Sequence, residues 1–178
     1  SNIYASLSEG FKAGGYATYE CTEPYDPEEV TSLEFGFKGS LGENTSLNAS
    51  LFRYDYTDFQ VLQVVGIQTV TRNAGDATVN GLELEALTNV SDSLTLNYGV
   101  TLLDATYGDF LNTNGLEPQL GVQQLEGNYL SNAPKVSVNF GLNYTNILSS
   151  GSSLTYRANA AYKSCLLYTS DAADDVIS

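Results

Sequence analysis

The feature that most constrains this chain is a strict two-residue alternation, repeated in seven separate segments. In the clearest, Val136, Val138, Phe140, Leu142 and Tyr144 interleave with Ser137, Asn139, Gly141, Asn143 and Thr145. Leu154, Tyr156, Ala158, Ala160 and Tyr162 alternate with Thr155, Arg157, Asn159, Ala161 and Lys163. Leu94 to Leu102, Leu33 to Lys38, Ser46 to Leu51, Gly81 to Ala86 and Ile3 to Leu7 repeat the pattern. Side chains alternate between faces only in a β-strand, so each segment predicts a strand with one apolar and one polar face. No stretch keeps a 3.6-residue period, and almost no helix is expected.

The polar face decides what the strands are for. It is built mostly from Ser, Thr, Asn and Gly, and only 16% of all residues are charged, against about 25% in a typical soluble domain. The good segments run to about ten residues, enough to cross a bilayer at a tilt, whereas sandwich strands are commonly about five or six. Aromatic residues near strand ends (Tyr54, Tyr56, Tyr107, Tyr144, Tyr162) are expected to form an interfacial girdle. Connections alternate in length. Gly42-Glu43-Asn44, Asn89 to Ser93 and Ser149 to Ser152 are short; Gly14 to Glu29, Asp58 to Gly75 and Leu111 to Ala133 are long. The middle one reads as a strand pair extended through Gly66. Tight turns at one end and long loops at the other are the layout of a bacterial outer-membrane barrel. Because lipid cannot hydrogen-bond free backbone groups, a spanning sheet must close on itself. A soluble β-sandwich is the competing architecture.

Composition removes other functions. The chain has no histidine, which excludes a Ser-His-Asp triad and a His-ligated zinc. Seven Lys and Arg against 21 Asp and Glu give a net charge of -14, which disfavours a nucleic-acid partner. No apolar run is long enough for a transmembrane helix, and Ser1-Asn2-Ile3-Tyr4 already reads as strand, with no signal peptide ahead of it. No phosphate-binding or nucleophile-elbow pattern occurs. No cofactor, metal site or enzymatic activity is expected.

Five phrases, in order, sharpen the architecture: Tyr4 to Gly15 (YASLSEGFKAGG), Pro27 to Lys38 (PEEVTSLEFGFK), Leu47 to Gln60 (LNASLFRYDYTDFQ), Asn73 to Glu85 (NAGDATVNGLELE) and Asn132 to Lys135 (NAPK). Together they resemble the C-terminal half of a TonB-dependent outer-membrane receptor barrel. The resemblance implies an all-β fold: about seven antiparallel strands of a larger, 22-stranded transmembrane barrel, incomplete and open-edged. It also implies import of ferric siderophores or another scarce nutrient across the outer membrane. The partners it implies are outer-membrane lipid, a plug domain, TonB and a small-molecule ligand such as a metal chelate. The sequence contains no plug, no TonB-contacting segment and no terminal strand closing on an aromatic residue, so the segment is expected not to transport alone. A structural or adhesive surface β-protein is the alternative reading.

Residues 1–164 form the expected partial barrel. From Cys165 to Asp174 the chain reads CLLYTSDAAD, which resembles translated sequencing-adaptor read-through, and residues 165–178 are expected to be a non-native tail. Cys21 is then left without a credible disulfide partner.

The candidate functional residues fall into two groups. Glu34, Lys38, Glu83, Glu85 and Arg157 sit on the polar face and are expected to look into the lumen, with Lys38, Arg53 and Arg157 as counter-charges, because buried acids without partners cost several kcal/mol. In the first long loop, Tyr16, Tyr19 and Tyr25 stand among Glu20, Glu23, Asp26, Glu28 and Glu29. They are candidates for ligand contact, although a merely solvated loop explains the same composition. Glycines within strands, Gly36, Gly99 and Gly141 among them, are expected to relieve curvature or admit a bulky neighbour.

Overall fold

The computed structural model describes residues 1–17, 23–65, 68–113 and 118–164. Tyr19, Glu20, Cys21 and the tail from Cys165 lie outside the described residues. The strands are β1 (Asn2–Lys12), β2 (Gly15–Tyr16), β3 (Pro24–Tyr25), β4 (Glu28–Leu41), β5 (Thr45–Thr57), β6 (Gln60–Val65) and β7 (Gln68–Asn73). They continue as β8 (Ala77–Ser91), β9 (Leu94–Tyr107), β10 (Leu111–Thr113), β11 (Val122–Gln124), β12 (Val136–Ile147) and β13 (Ser153–Lys163). The helical content of the described residues is one short 3₁₀ turn, Pro118–Leu120.

Seven long strands form one antiparallel sheet in the order β1-β4-β5-β8-β9-β12-β13. The other six pair among themselves as small hairpins inside the long connections. The wall is therefore a simple meander in which each long strand lies beside the one before and after it. Its members run 11 to 15 residues, somewhat longer than a bilayer crossing needs. All seven segments predicted from alternation are these seven strands. The stretch from Asp58 to Gly75 contains the hairpin β6–β7, as the pattern around Gly66 predicted.

The tight turns all lie at one end. Gly42 has φ of 67° between β4 and β5, and Gly151 has φ of 82° between β12 and β13. This is a left-handed conformation that glycine adopts without steric cost. The β8–β9 turn is narrower than predicted: β8 continues to Ser91, with a register slip between Asn89 and Ser91.

Register converts the alternation into continuous rows. One outward row reads Ala5, Phe35, Leu51, Leu82, Leu102 and Val136; the next reads Ile3, Phe37, Ala49, Leu84, Val100, Val138 and Tyr162. Every residue in both rows is apolar or aromatic, and they face outward without cover: Ile3 is 87% exposed, Leu51 58% and Tyr162 61%. Such a patch far exceeds what a water-soluble surface carries without a partner. No second sheet covers it among the described residues, and the sandwich alternative loses its basis.

The apolar rows end abruptly. The next outward row is Leu7, Leu33, Arg53, Asn80 and Asp104. Arg53 makes a forked contact to Asp55, with distances of 2.7 to 3.1 Å, and the Thr78 hydroxyl donates to the same carboxylate. Tyr54, Tyr56 and Tyr107 lie on the opposite face by the same register, so they do not join an outward girdle. On the apolar face, Tyr144 and Tyr156 stack near the tight-turn end with centroids 6.3 Å apart.

The buried hydrophobic cluster is confined to one end of the wall. It sits at the long-connection end, where Ala74, Ala77, Ala105, Tyr107, Phe110, Leu125 and Leu130 are buried together. Ala77, Ala105 and Tyr107 belong to the polar-face rows of β8 and β9. The connections therefore fold onto that face.

Candidate functional site

The polar face presents three adjacent rows. The first is Ser6, Glu34, Phe52, Gly81 and Leu103; the second Tyr4, Gly36, Ser50, Glu83 and Thr101; the third Asn2, Lys38, Asn48, Glu85 and Gly99. Small residues in these rows admit large neighbours. A Cβ on Gly36 would overlap the Tyr4 ring, and one on Gly81 would overlap the Phe52 ring. Phe52 is buried in consequence and stacks on Tyr54 at 4.8 Å. The expectation that strand glycines admit bulky neighbours holds at both positions.

Tyr4, laid across Gly36, reaches from the second row into the first and donates a 2.5 Å hydrogen bond to Glu34 Oε1. Lys38 Nζ lies 5.5 Å from the centre of the same ring. The result is an open hollow floored by Ser50 and Asn48 and edged by Tyr4, Glu34, Lys38, Phe52, Glu83 and Glu85. Hydroxyl-, carboxylate-, ammonium- and ring-bearing side chains line one space. The hollow can accept a cationic or hydrogen-bond-donating group, with Lys38 as its positive rim.

Glu34, Lys38, Glu83, Glu85 and Arg157 share this face; the first four line the one hollow, and Arg157 stands apart from them. Arg157, on β13, pairs with Asn143 of β12 and lies three strands from β8, roughly 14 Å at normal strand spacing. Arg53 is not a counter-charge to the glutamates. It occupies an odd position of β5, hence the other face, and its partner is Asp55. Glu83 and Glu85 are exposed, so no burial penalty demands a partner for them. The ion pairs among the described residues are Arg53–Asp55 and Arg72–Glu23.

Residues 23–28 of the first long connection are tied down. Glu23 meets Arg72 at 3.0 Å, and Glu28 accepts the Gln60 backbone N–H at 2.7 Å. Gln60, a buried polar residue, donates from Nε2 to the carbonyls of Ala13 and Asp26, both at 3.1 Å. Opposite it in the hairpin, Asn73 accepts the Asp26 N–H at 2.7 Å and donates to the carbonyls of Asp26 and Asp58. Three loop acids or their backbones thus serve as structural ties. Tyr16 is 60% exposed and pairs with Pro24, while Gly15 faces Tyr25. Neither Gln60 nor Asn73 stands out in the sequence by composition. The available signal was Asn73 opening the phrase that ends in Glu85. No group of three or more potential metal ligands occurs among the described residues.

Comparison with known proteins agrees with this architecture. The family described as TonB dependent receptor-like, beta-barrel, matches residues 1–175. The probable TonB-dependent siderophore receptor PiuA of Acinetobacter baumannii is 31% identical over 124 residues, which is 67% of this chain and 16% of that protein. Among solved structures, the ferric yersiniabactin uptake receptor FyuA of Yersinia pestis superposes with a TM-score of 0.67 at 19% identity, over 90% of this chain and 23% of its own. The siderophore receptor PiuA from Acinetobacter baumannii gives a TM-score of 0.63 at 24% identity, again over 90% and 23%. The chain spans a minor part of the length of each of these relatives.

Proposed function

From the premise that this chain belongs to the TonB-dependent receptor β-barrel family of the bacterial outer membrane, we propose that it forms part of the wall and outer connections of an active importer of ferric siderophores or another scarce nutrient. One observation carries the reading: two uninterrupted apolar rows back a face of hydroxyls, amides and carboxylates. One side of the sheet meets hydrocarbon and the other an aqueous interior.

In this role the wall is passive. The apolar rows exclude lipid, and the long connections form part of the outer mouth. Glu34, Lys38, Glu83, Glu85 and Arg157 look into the lumen, where a plug domain driven by TonB is the expected occupant. Tyr16, Tyr19 and Tyr25 are candidates to contact a ligand arriving from outside. The family's function makes the chain a transporter part, not an enzyme.

The test is genetic. Deletion of the complete gene is expected to abolish growth on one ferric chelate as sole iron source, or uptake of one other scarce nutrient, with restoration on complementation. Undiminished growth across such a panel, together with loss of surface adhesion, would replace import with the adhesive reading.

A further inference from the structure

The three long connections do not extend separately from the sheet. The segment 23–28 is clamped by Gln60 and Asn73 at the base of β6–β7, through the bonds given above. The hairpin is in turn joined to the third connection. Asp76 accepts the Gly108 N–H at 2.7 Å, Gln63 donates to Asn112, and a Cβ on Gly75 would collide with the Asp109 carbonyl. The third connection returns to the wall, with Tyr107 N–H donating to Asn128 and Leu130 N–H to Ala105, both at 2.9 Å. Between these seams runs a chain of rings: Tyr56 to Phe59 at 5.3 Å, Phe59 to Tyr107 at 6.4 Å, and Tyr107 to Phe110 at 5.2 Å. Ala74, Leu125 and Leu130 close the apolar cluster around them.

We infer that the described parts of the three connections (23–28, 58–65 with 68–76, and 108–113 with 118–133) form one fixed shelf overhanging the polar face, so that this part of the mouth is a standing ledge and not a set of segments that close independently on a ligand. Local opening follows from few buried contacts and exposed backbone hydrogen bonds; here both seams are bonded and the space between them is filled. Two adjacent connections can separate only by breaking a clamp or emptying the cluster. The inference takes the polar face as the lumen, as proposed above, but the shelf itself is measurable whatever the protein imports.

The experiment uses the full-length receptor in outer membranes, with Cys21 and any other native cysteine replaced by serine. Spin labels are placed in pairs at the exposed positions Tyr16 and Leu62, and Leu62 and Val122, and distances are read by pulsed electron resonance. Both pairs are expected to give a single narrow distribution. Asn73→Ala is expected to abolish narrowness for the 16–62 pair only, and Phe110→Ala for the 62–122 pair only. A broad distribution for either pair in the unmutated background, or survival of either narrow distribution in its variant, overturns the inference. Heat-modifiable gel mobility confirms assembly. Gln60→Ala and Leu125→Ala probe the same two seams where a first variant does not assemble. Failure of import in the growth test leaves these distances untouched, so the two conclusions fail separately.

Discussion

Tyr4 lies across Gly36 and bonds Glu34, so a single tyrosine on β1 reads two positions of its neighbour: the absence of a side chain at one and a carboxylate at the other. Its ring requires Gly36 to remain bare, and its hydroxyl requires an acceptor two residues away. Tyr4→Phe keeps the ring and removes the bond. It is expected to assemble with unchanged heat-modifiable mobility, whereas Gly36→Leu, which displaces the ring, is expected to lower assembly yield.

The same relation recurs at Phe52 and Gly81. A methyl group added at Gly81 must push against a buried ring, and overpacking of this kind typically costs about 1–3 kcal/mol. Gly81→Ala is expected to lower the denaturant midpoint of the assembled barrel by that order. Phe52→Leu is expected to recover part of the loss in a double-mutant cycle, because the two sites share one volume. Additive effects would show that the ring does not occupy the space above Gly81.

Facing can be tested by charge. Leu84 lies in the second uninterrupted apolar row, and an arginine at mid-bilayer on a lipid face costs about 2–4 kcal/mol. Leu84→Arg is expected to reduce assembly sharply. Ser50→Arg, one strand away on the other face, is expected to assemble. Equal assembly of the two variants would remove the distinction between the faces.

Glu83 and Glu85 are exposed on the polar face, with no ion pair among the described residues. The double variant Glu83→Gln, Glu85→Gln is expected to assemble normally and to lower uptake of whichever chelate supports growth. Unaltered uptake would reduce these acids to solvated lumen lining.

The tail offers a nucleotide-level check. Resequencing the locus is expected to replace CLLYTSDAAD after Ser164 with a different continuation. Recovery of the same ten codons from genomic DNA would make the tail native.

The wall was legible in the sequence because period-two alternation carries both strand identity and facing. Once Leu33, Leu47 and Leu82 are placed on one face, Glu34, Glu83 and Glu85 must share the other. Arg53 shows the limit of that logic. Charge alone makes it a partner for those acids; parity places it with Leu51 on the other face. Tyr54, Tyr56 and Tyr107 show the same limit: position near a strand end says nothing about face. The shelf was illegible because it has no period. Gln60, Asn73 and Phe110 bond to residues 14 to 47 positions away, and nothing local marks them.

The pairing of β4 with β5 runs from Glu29–Thr57 to Leu41–Thr45 without a slip, and in the long sheet the irregularity recorded between β8 and β9 falls beside their tight turn. An odd insertion in the middle of β5 would exchange hydrocarbon-facing and water-facing side chains for every residue beyond it, while a pair of inserted residues would preserve the exchange-free order. Length variation among descendants of this gene is therefore expected to accumulate in even steps inside the staves and in any step at the hairpin tips.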